Sequence, residues 1–117
     1  MVPRALIVLC LLLAGCGAEE RTVAPAPATS LVVTVDADGD GPDVPKQARC
    51  SGAACPAVPA RAFDPVSTRM ACTDIYGGPQ TATVTGTLRG KAVSARFSRR
   101  NGCEVSRWQL ALPLLEL

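Results

Sequence analysis

The chain has 117 residues, with 12 basic and 10 acidic side chains and no histidine, so its formal net charge is +2. This length allows one small domain, and the near balance of charges argues against a nucleic acid or an acidic substrate as partner. Histidine is the most common general base, and Lys91, Ser94 and Ser98 suit a solvated strand better than a Ser–Lys catalytic pair. We therefore expect no enzymatic activity, no metal and no cofactor.

Residues 1–15 have the pattern of a bacterial lipoprotein signal peptide. Arg4 precedes an apolar run over residues 5–13, which is too short to span a bilayer as a helix. The sequence Leu13-Ala14-Gly15-Cys16 then matches the lipoprotein cleavage box. We expect Cys16 to become the acylated N-terminus, which places the protein outside the cytoplasm and attached to the membrane through its lipid only. A secretory signal with an incidental cysteine is the alternative.

Residues 16–30 are predicted to form the lipidated cysteine and a flexible tether, followed by one domain over residues 31–117. The tether is rich in alanine, proline and polar residues, which cannot bury a core. An extended proline-rich segment rises about 3.1 Å per residue, so it would hold the domain roughly 40 Å from the membrane.

The domain is predicted to be α+β, with a small antiparallel sheet and one or two short helices. A first strand covers residues 31–35, with Leu31, Val33 and Val35 on one face. Residues 36–45 form a polar turn, residues 47–50 a short second strand, and residues 58–63 a short helix. Alternation of Trp108, Leu110 and Leu112 before Pro113 predicts a last strand.

The clearest predicted element is a β-hairpin over residues 81–98. Its first strand alternates four threonines with small or apolar residues, and Arg89-Gly90 forms the turn. The threonines share one face (Thr81, Thr83, Thr85 and Thr87), and the return strand places three apolar residues together (Val93, Ala95 and Phe97). Arg96, Arg99 and Arg100 are interpreted as the solvated end of the hairpin.

Four cysteines remain after Cys10 is removed with the leader and Cys16 is acylated. Cys50, Cys55, Cys72 and Cys103 in an exported domain predict two disulfides, for which three pairings exist. The pairing Cys50–Cys55 with Cys72–Cys103 is the simplest. Zinc is disfavoured, because the chain lacks both histidine and Cys-x-x-Cys spacing.

Residues 36–41, Asp-Ala-Asp-Gly-Asp-Gly, look like the start of a calcium-binding loop. An EF-hand needs a glutamate at its twelfth position, where this chain has Gln47. We interpret the segment as an Asp/Gly-rich turn, with weak calcium binding as the alternative.

The segment 70–104 resembles the bacterial subtilisin inhibitor-like family. The similarity is carried by Cys72-Thr73-Asp74-Ile75-Tyr76-Gly77-Gly78-Pro79, by Thr-Ala-Thr-Val-Thr-Gly over 81–86, and by Phe-Ser-Arg-Arg-Asn-Gly-Cys-Glu over 97–104. Residues 30–35 and 63–66 also resemble the first strand and the lead-in to the reactive loop. The resemblance covers about residues 30–112, most of the predicted mature chain.

This resemblance implies a serine protease inhibitor. Cys72 would anchor the reactive loop, Thr73 would follow it, Asp74 would be the specificity residue before the scissile bond, and Ile75 and Tyr76 would come after that bond. The family pattern also implies disulfides Cys72–Cys103 and Cys50–Cys55 and a homodimer formed through the sheet.

The expected partner is a serine endopeptidase, either subtilisin-like or specific for acidic residues. The acidic residue at position 74 suits a protease with a basic pocket. A binding or structural lipoprotein of the envelope that keeps the fold without inhibition is the alternative function.

Overall fold

The computed structural model describes residues 28–117, which form a four-stranded antiparallel sheet with one α-helix. The predicted signal peptide, Cys16 and most of the predicted tether lie outside the described residues. The strands are β1 (Ser30–Asp36), β2 (Lys46–Ser51), β3 (Thr81–Leu88) and β4 (Lys91–Phe97), in the spatial order β2-β1-β3-β4. The predicted first two strands and the hairpin are confirmed, and the domain is α+β.

The C-terminal segment is helical, so the predicted last strand is wrong. Helix α1 covers Gly102–Leu115 and contains Trp108, Leu110 and Leu112. The buried positions recur with helical spacing of three or four residues (Glu104, Arg107, Trp108, Ala111, Leu114 and Leu115). Two of these are charged, which is why the apolar pattern alone favoured a strand. Pro113 lies in the last turn of the helix.

Two short 3₁₀ helices, Gly52–Ala54 and Ala60–Phe63, lie in the irregular stretch between β2 and β3. The second falls within the predicted helix over residues 58–63. Prolines at 56, 59 and 65 keep this stretch from forming a longer helix.

One face of the sheet is buried against α1 and the second 3₁₀ helix. The predicted faces are confirmed: Val33 and Val84 are opposite each other on β1 and β3 and are almost fully buried, whereas the threonines of β3 lie on the other face. The core comprises twelve residues (Leu31, Val33, Cys50, Ala62, Ala82, Val84, Ala95, Phe97, Trp108, Ala111, Leu114 and Leu115). With a core of this size, covalent crosslinks contribute a large share of stability.

Both disulfides have the simplest predicted pairing. Cys50–Cys55 joins the end of β2 to the residue after the first 3₁₀ helix, and Cys72–Cys103 joins the long loop before β3 to the first turn of α1. The second crosslink closes a segment of 31 residues, which includes the whole hairpin.

Arg107 connects three elements from a buried position on α1. Its guanidinium donates hydrogen bonds to the backbone carbonyls of Ala62 (2.9 Å), Phe63 (3.4 Å) and Arg96. It also lies 3.6 Å from the Glu104 carboxylate and 4.5 Å from the centroid of the Phe97 ring. Arg107 therefore holds α1 against both β4 and the 3₁₀ helix through polar contacts within a small apolar core.

The N-terminal segment joins one end of the sheet, and the loop before β3 and the segment before α1 lie at the other end. At one end the backbone N–H of Gly90, in the β3–β4 turn, donates to the carbonyl of Ala28 (2.9 Å), and that of Gly52 donates to the carbonyl of Thr29 (2.8 Å). At the other end, the 64–80 segment enters β3 and the 98–101 segment leaves β4. In the described part of the chain, no helix is long and apolar enough to cross a membrane.

Candidate functional site

An exposed loop over residues 71–78 has no regular secondary structure and contains the residues predicted to form the site. Asp74, Ile75 and Tyr76 are consecutive and exposed, and the two apolar side chains are 62% and 66% accessible. Five large hydrophobic side chains are exposed among the described residues, and two of them are adjacent here. Contiguous exposed apolar surface of this kind often marks a binding site.

The loop is tied to one short segment of chain on both sides of Asp74–Tyr76. On the N-terminal side, Cys72 is bonded to Cys103, and the backbone N–H of Gly102 donates to the carbonyl of Thr73 (2.9 Å). On the C-terminal side, the backbone N–H of Gly77 donates to the carbonyl of Arg99 (2.7 Å). The three exposed residues therefore form an arch whose two ends rest on residues 99–103.

This supporting segment is the capped beginning of α1. The side-chain oxygen of Asn101 accepts a hydrogen bond from the backbone N–H of Glu104 (3.0 Å), as an N-cap residue does. Gly102 permits the close approach of the loop, because a Cβ there would lie 1.9 Å from the hydroxyl oxygen of Thr73. Cap and glycine together place the first turn of α1 directly beneath the arch.

Arg99 lies behind the arch and was wrongly interpreted as a solvated residue. Its guanidinium is 5.8 Å from the centroid of the Trp108 ring, and its Nε would be 3.2 Å from a Cβ built on Gly77. That Nε is buried and has no hydrogen-bond acceptor among the described residues. Arg96 and Arg100 are exposed as predicted, so Arg99 is the one of these three arginines that is partly buried.

Asp74 has no charged partner in the described part of the chain. The two ion pairs found there both use Glu104, with Arg107 at 3.6 Å and with Arg100 at 3.9 Å. The Asp74 side chain is exposed at the top of the arch. Its carboxylate is therefore free to meet a cationic group supplied by another molecule.

A cleft of about 590 Å³ adjoins the C-terminal side of the arch. It is bounded by the chain leaving the loop, by the outer face of β3 and β4, and by the arginine cluster that precedes α1 (Tyr76, Gly78, Thr83, Arg96, Arg99 and Arg100). Sequence reasoning missed this cleft, because it forms between segments distant in the chain.

The 36–41 segment folds as the predicted Asp/Gly-rich turn. Asp36 Oδ1 accepts a hydrogen bond from the backbone N–H of Asp38 (3.3 Å), and Asp38 Oδ2 accepts one from the backbone N–H of Asp43 (2.9 Å). Both carboxylates therefore accept hydrogen bonds from backbone N–H groups of the turn itself. Within residues 28–117, no group of three or more His, Cys, Asp or Glu side chains is arranged to hold a metal ion.

The structure does not bring the candidate Ser–Lys pair together. Lys91 and Ser94 are three positions apart on β4, so their side chains project from opposite faces of the strand. Ser98 follows the end of β4 and lines the cleft. These residues therefore remain separate features of the surface.

Comparison of the chain with protein-family models, with curated proteins and with solved structures gives no match.

Proposed function

We propose that the protein is a serine protease inhibitor that presents residues 73–76 to the protease as a substrate-like loop. The observation that carries this proposal is the arch, in which three exposed residues are held at both ends by a disulfide and two backbone hydrogen bonds. A loop that is already ordered loses little conformational entropy on binding, so more of its contact energy appears as affinity.

The arch suits recognition through its backbone and one side chain. An extended loop pairs with a strand beside the protease active site through main-chain hydrogen bonds, and Asp74 would enter the specificity pocket. Ile75 and Tyr76 would then contact the far side of the active-site cleft. Interfaces of this kind typically bury about 1,600 Å² in total.

The disulfide and the backbone hydrogen bonds that hold the loop explain how it would resist hydrolysis by the protease. Attack by the protease serine on the carbonyl carbon of Asp74 would form an ester and release the amine of Ile75. That amine would stay nearby, because Gly77 is held by Arg99 on one side and Cys72 by Cys103 on the other. It could then attack the ester carbonyl, expel the serine oxygen and restore the peptide bond before water completes hydrolysis.

Asp74 favours a target protease with a basic specificity pocket. Burying a carboxylate without a partner costs several kcal/mol, so an apolar pocket would reject it. A pocket that supplies an arginine or lysine would instead form a charge-assisted hydrogen bond with it. We therefore propose a protease that cleaves after acidic residues as the preferred target, and subtilisin-like enzymes as weaker ones.

The position of the arch is compatible with a lipid anchor at Cys16. The chain joins the domain beside the β3–β4 turn, whereas the arch lies at the opposite end of the sheet. Strand β3 has eight residues, so these ends are about 24 Å apart. A tether entering at one end would leave the arch directed away from the membrane and accessible to a protein in solution.

The first test is a titration of the oxidised chain from residue 17, which keeps all the strands, α1 and both disulfides. It is titrated against a glutamate-specific serine protease, trypsin and subtilisin, followed by mass spectrometry of the inhibitor. We expect stoichiometric inhibition of the first enzyme, with the chain intact or cut only between Asp74 and Ile75. Cleavage elsewhere, or indifference to all three enzymes, would contradict the proposal.

A matched pair of variants tests the assignment of Asp74. Asp74→Met should transfer the preference to subtilisin, because an apolar side chain fits an apolar pocket. Asp64→Met replaces another exposed aspartate outside the arch and should change neither affinity. If Asp74→Met does not bind subtilisin at micromolar concentration, the loop is not the inhibitory segment.

The second candidate function is binding at the cell envelope without inhibition. Asp74 itself favours it, because an acidic residue at this position excludes proteases with apolar pockets. Rapid cleavage between Asp74 and Ile75 without loss of protease activity would identify this function.

A further inference from the structure

We propose that the cleft beside the arch is a binding site for a carboxylate side chain of an acidic peptide segment, with Arg96 and Arg100 as the binding residues. This site is separate from Asp74 and does not require that the arch inhibit a protease. Three observations support it: the shape of the cleft, the balance of charge around it, and a hydrogen-bond donor left without a partner in its wall.

The cleft is large enough for side chains of a peptide but not closed around one small ion. Its volume is about 590 Å³, and it extends from Tyr76 and Gly78 on the loop to Thr83 and Arg96 on the outer face of the sheet. A peptide that contacts the arch and continues past Tyr76 would therefore lie along this cleft.

Two of the three arginines in the cleft have no ion-pair partner in the described part of the chain. Glu104 lines the cleft, and its carboxylate is shared by Arg107 and Arg100. Neither of the two ion pairs in the described chain includes Arg96 or Arg99. Three arginines therefore face two acidic residues in the lining, and the positive charge of Arg96 and Arg99 is available to an external carboxylate.

One buried donor in the same wall, Nε of Arg99, has no hydrogen-bond acceptor among the described residues. Buried donors and acceptors are normally satisfied, and exceptions mark sites where a partner is missing. Arg99 packs behind the exposed arginines, so its positive charge adds to theirs. The guanidinium fork also suits a planar carboxylate, which it can bind through two parallel hydrogen bonds.

The acidic residues that line the cleft favour a peptide carboxylate over a free phosphate. Asp40 and Glu104 both belong to this lining. A phosphate dianion would be repelled by both carboxylates. A single carboxylate on a flexible side chain can instead approach the arginines while staying away from Asp40 and Glu104. The Thr83 and Ser98 side chains supply hydroxyl groups for the peptide backbone.

The experiment is an NMR titration of the oxidised chain from residue 17 with a short blocked peptide that contains two glutamates. The probes are the Arg99 Nε–H and the indole N–H of Trp108, which is the only tryptophan and lies beneath Arg99. The same peptide with glutamines, and inorganic phosphate, are titrated in parallel at an ionic strength of about 0.1 M. We expect saturable shifts with the glutamate peptide at about millimolar concentration or below.

Matched charge variants locate the site. Arg96→Gln with Arg100→Gln should weaken peptide binding about ten-fold or more, since hydrogen bonds to charged groups are lost. Arg89→Gln with Lys91→Gln removes the same charge from the opposite end of the sheet and should change binding less than about two-fold, because salt screens charges beyond about 10 Å. Circular dichroism confirms that both variants fold.

Four results would overturn the proposal: no saturable shift with the glutamate peptide up to about 5 mM, equal binding of the glutamine peptide, tighter binding of phosphate than of the peptide, or equal losses in the two double variants. The third result would identify a site for free anions rather than for a protein partner.

Discussion

Removal of the Cys72–Cys103 disulfide tests how the arch is held. The crosslink closes 31 residues, whereas Cys50–Cys55 closes only five. In the chain-entropy model, the first contributes about 3.7 kcal/mol to the free energy of unfolding and the second about 2 kcal/mol. Replacing Cys72 and Cys103 by serine should therefore cost roughly 1.5 kcal/mol more than replacing Cys50 and Cys55.

Urea denaturation followed by Trp108 fluorescence measures both losses in the same background. In a domain of this size, the first replacement should lower Tm by roughly 15–30 °C and the second by about half as much. The first variant should also be cut between Asp74 and Ile75 and release two separate fragments, because nothing covalent then joins them. Equal losses of stability in the two variants, or an arch that stays resistant to cleavage without its disulfide, would refute the reasoning.

Three further predictions concern α1 and the 36–43 turn. Arg107→Met removes the donors to three backbone carbonyls and the closer partner of Glu104, so urea denaturation should show a loss of about 3–5 kcal/mol, against less than about 1 kcal/mol for exposed Arg100→Met. Asn101→Ala removes the N-cap and should cost about 0.5–2 kcal/mol, with faster hydrogen exchange at the Gly77 and Gly102 amides. In the 36–43 turn, a side-chain hydrogen bond with the carboxyl group of Asp38 raises the pKa of Asp36 above 3.8, and the backbone N–H of Asp43 lowers the pKa of Asp38 below 3.8. The contribution of Asp38 to stability is then lost as pH falls through its lowered pKa, and that of Asp36 is lost as pH rises through its raised pKa. Carbon-detected NMR should resolve both titrations. Asp38→Asn should return the pKa of Asp36 towards 3.8.

The sheet could be predicted from the sequence because its signals are local. Alternation of threonine with small apolar residues over β3, followed by Arg89-Gly90, defines both the faces and the turn of the hairpin. The simplest pairing of the four cysteines was also correct. It joins cysteines that follow one another in the sequence, Cys50 to Cys55 and Cys72 to Cys103.

Helix α1 could not be recognised from apolar residues alone. Its buried face includes Glu104 and Arg107, which neutralise each other, and Arg107 also donates hydrogen bonds to backbone carbonyls. Among the apolar residues alone, Trp108, Leu110 and Leu112 alternate, and this alternation predicts a strand. The available signal was the sequence Asn101-Gly-Cys-Glu104, in which an N-cap residue precedes glutamate by three positions.

Arg99 shows a different limit of sequence reasoning. An arginine among other arginines is normally solvated, and two members of the cluster are. Arg99 is partly buried because the loop crosses over it on one side and Trp108 packs beneath it on the other. Both contacts depend on how the loop and α1 fold back on Arg99, so no local pattern could indicate them.

The position of α1 links the stability of the domain to the rigidity of the arch. Every tie of the arch ends on residues 99–103, which are the cap and first turn of α1 or directly precede them. Local opening of this turn would break both hydrogen bonds and leave the disulfide attached to a mobile segment. The arch can therefore be no more rigid than the first turn of α1, whose stability depends on Asn101 and on the contact of Glu104 with Arg107. Substitutions at these supports should loosen the arch before they unfold the sheet, although none of them changes a residue of the arch.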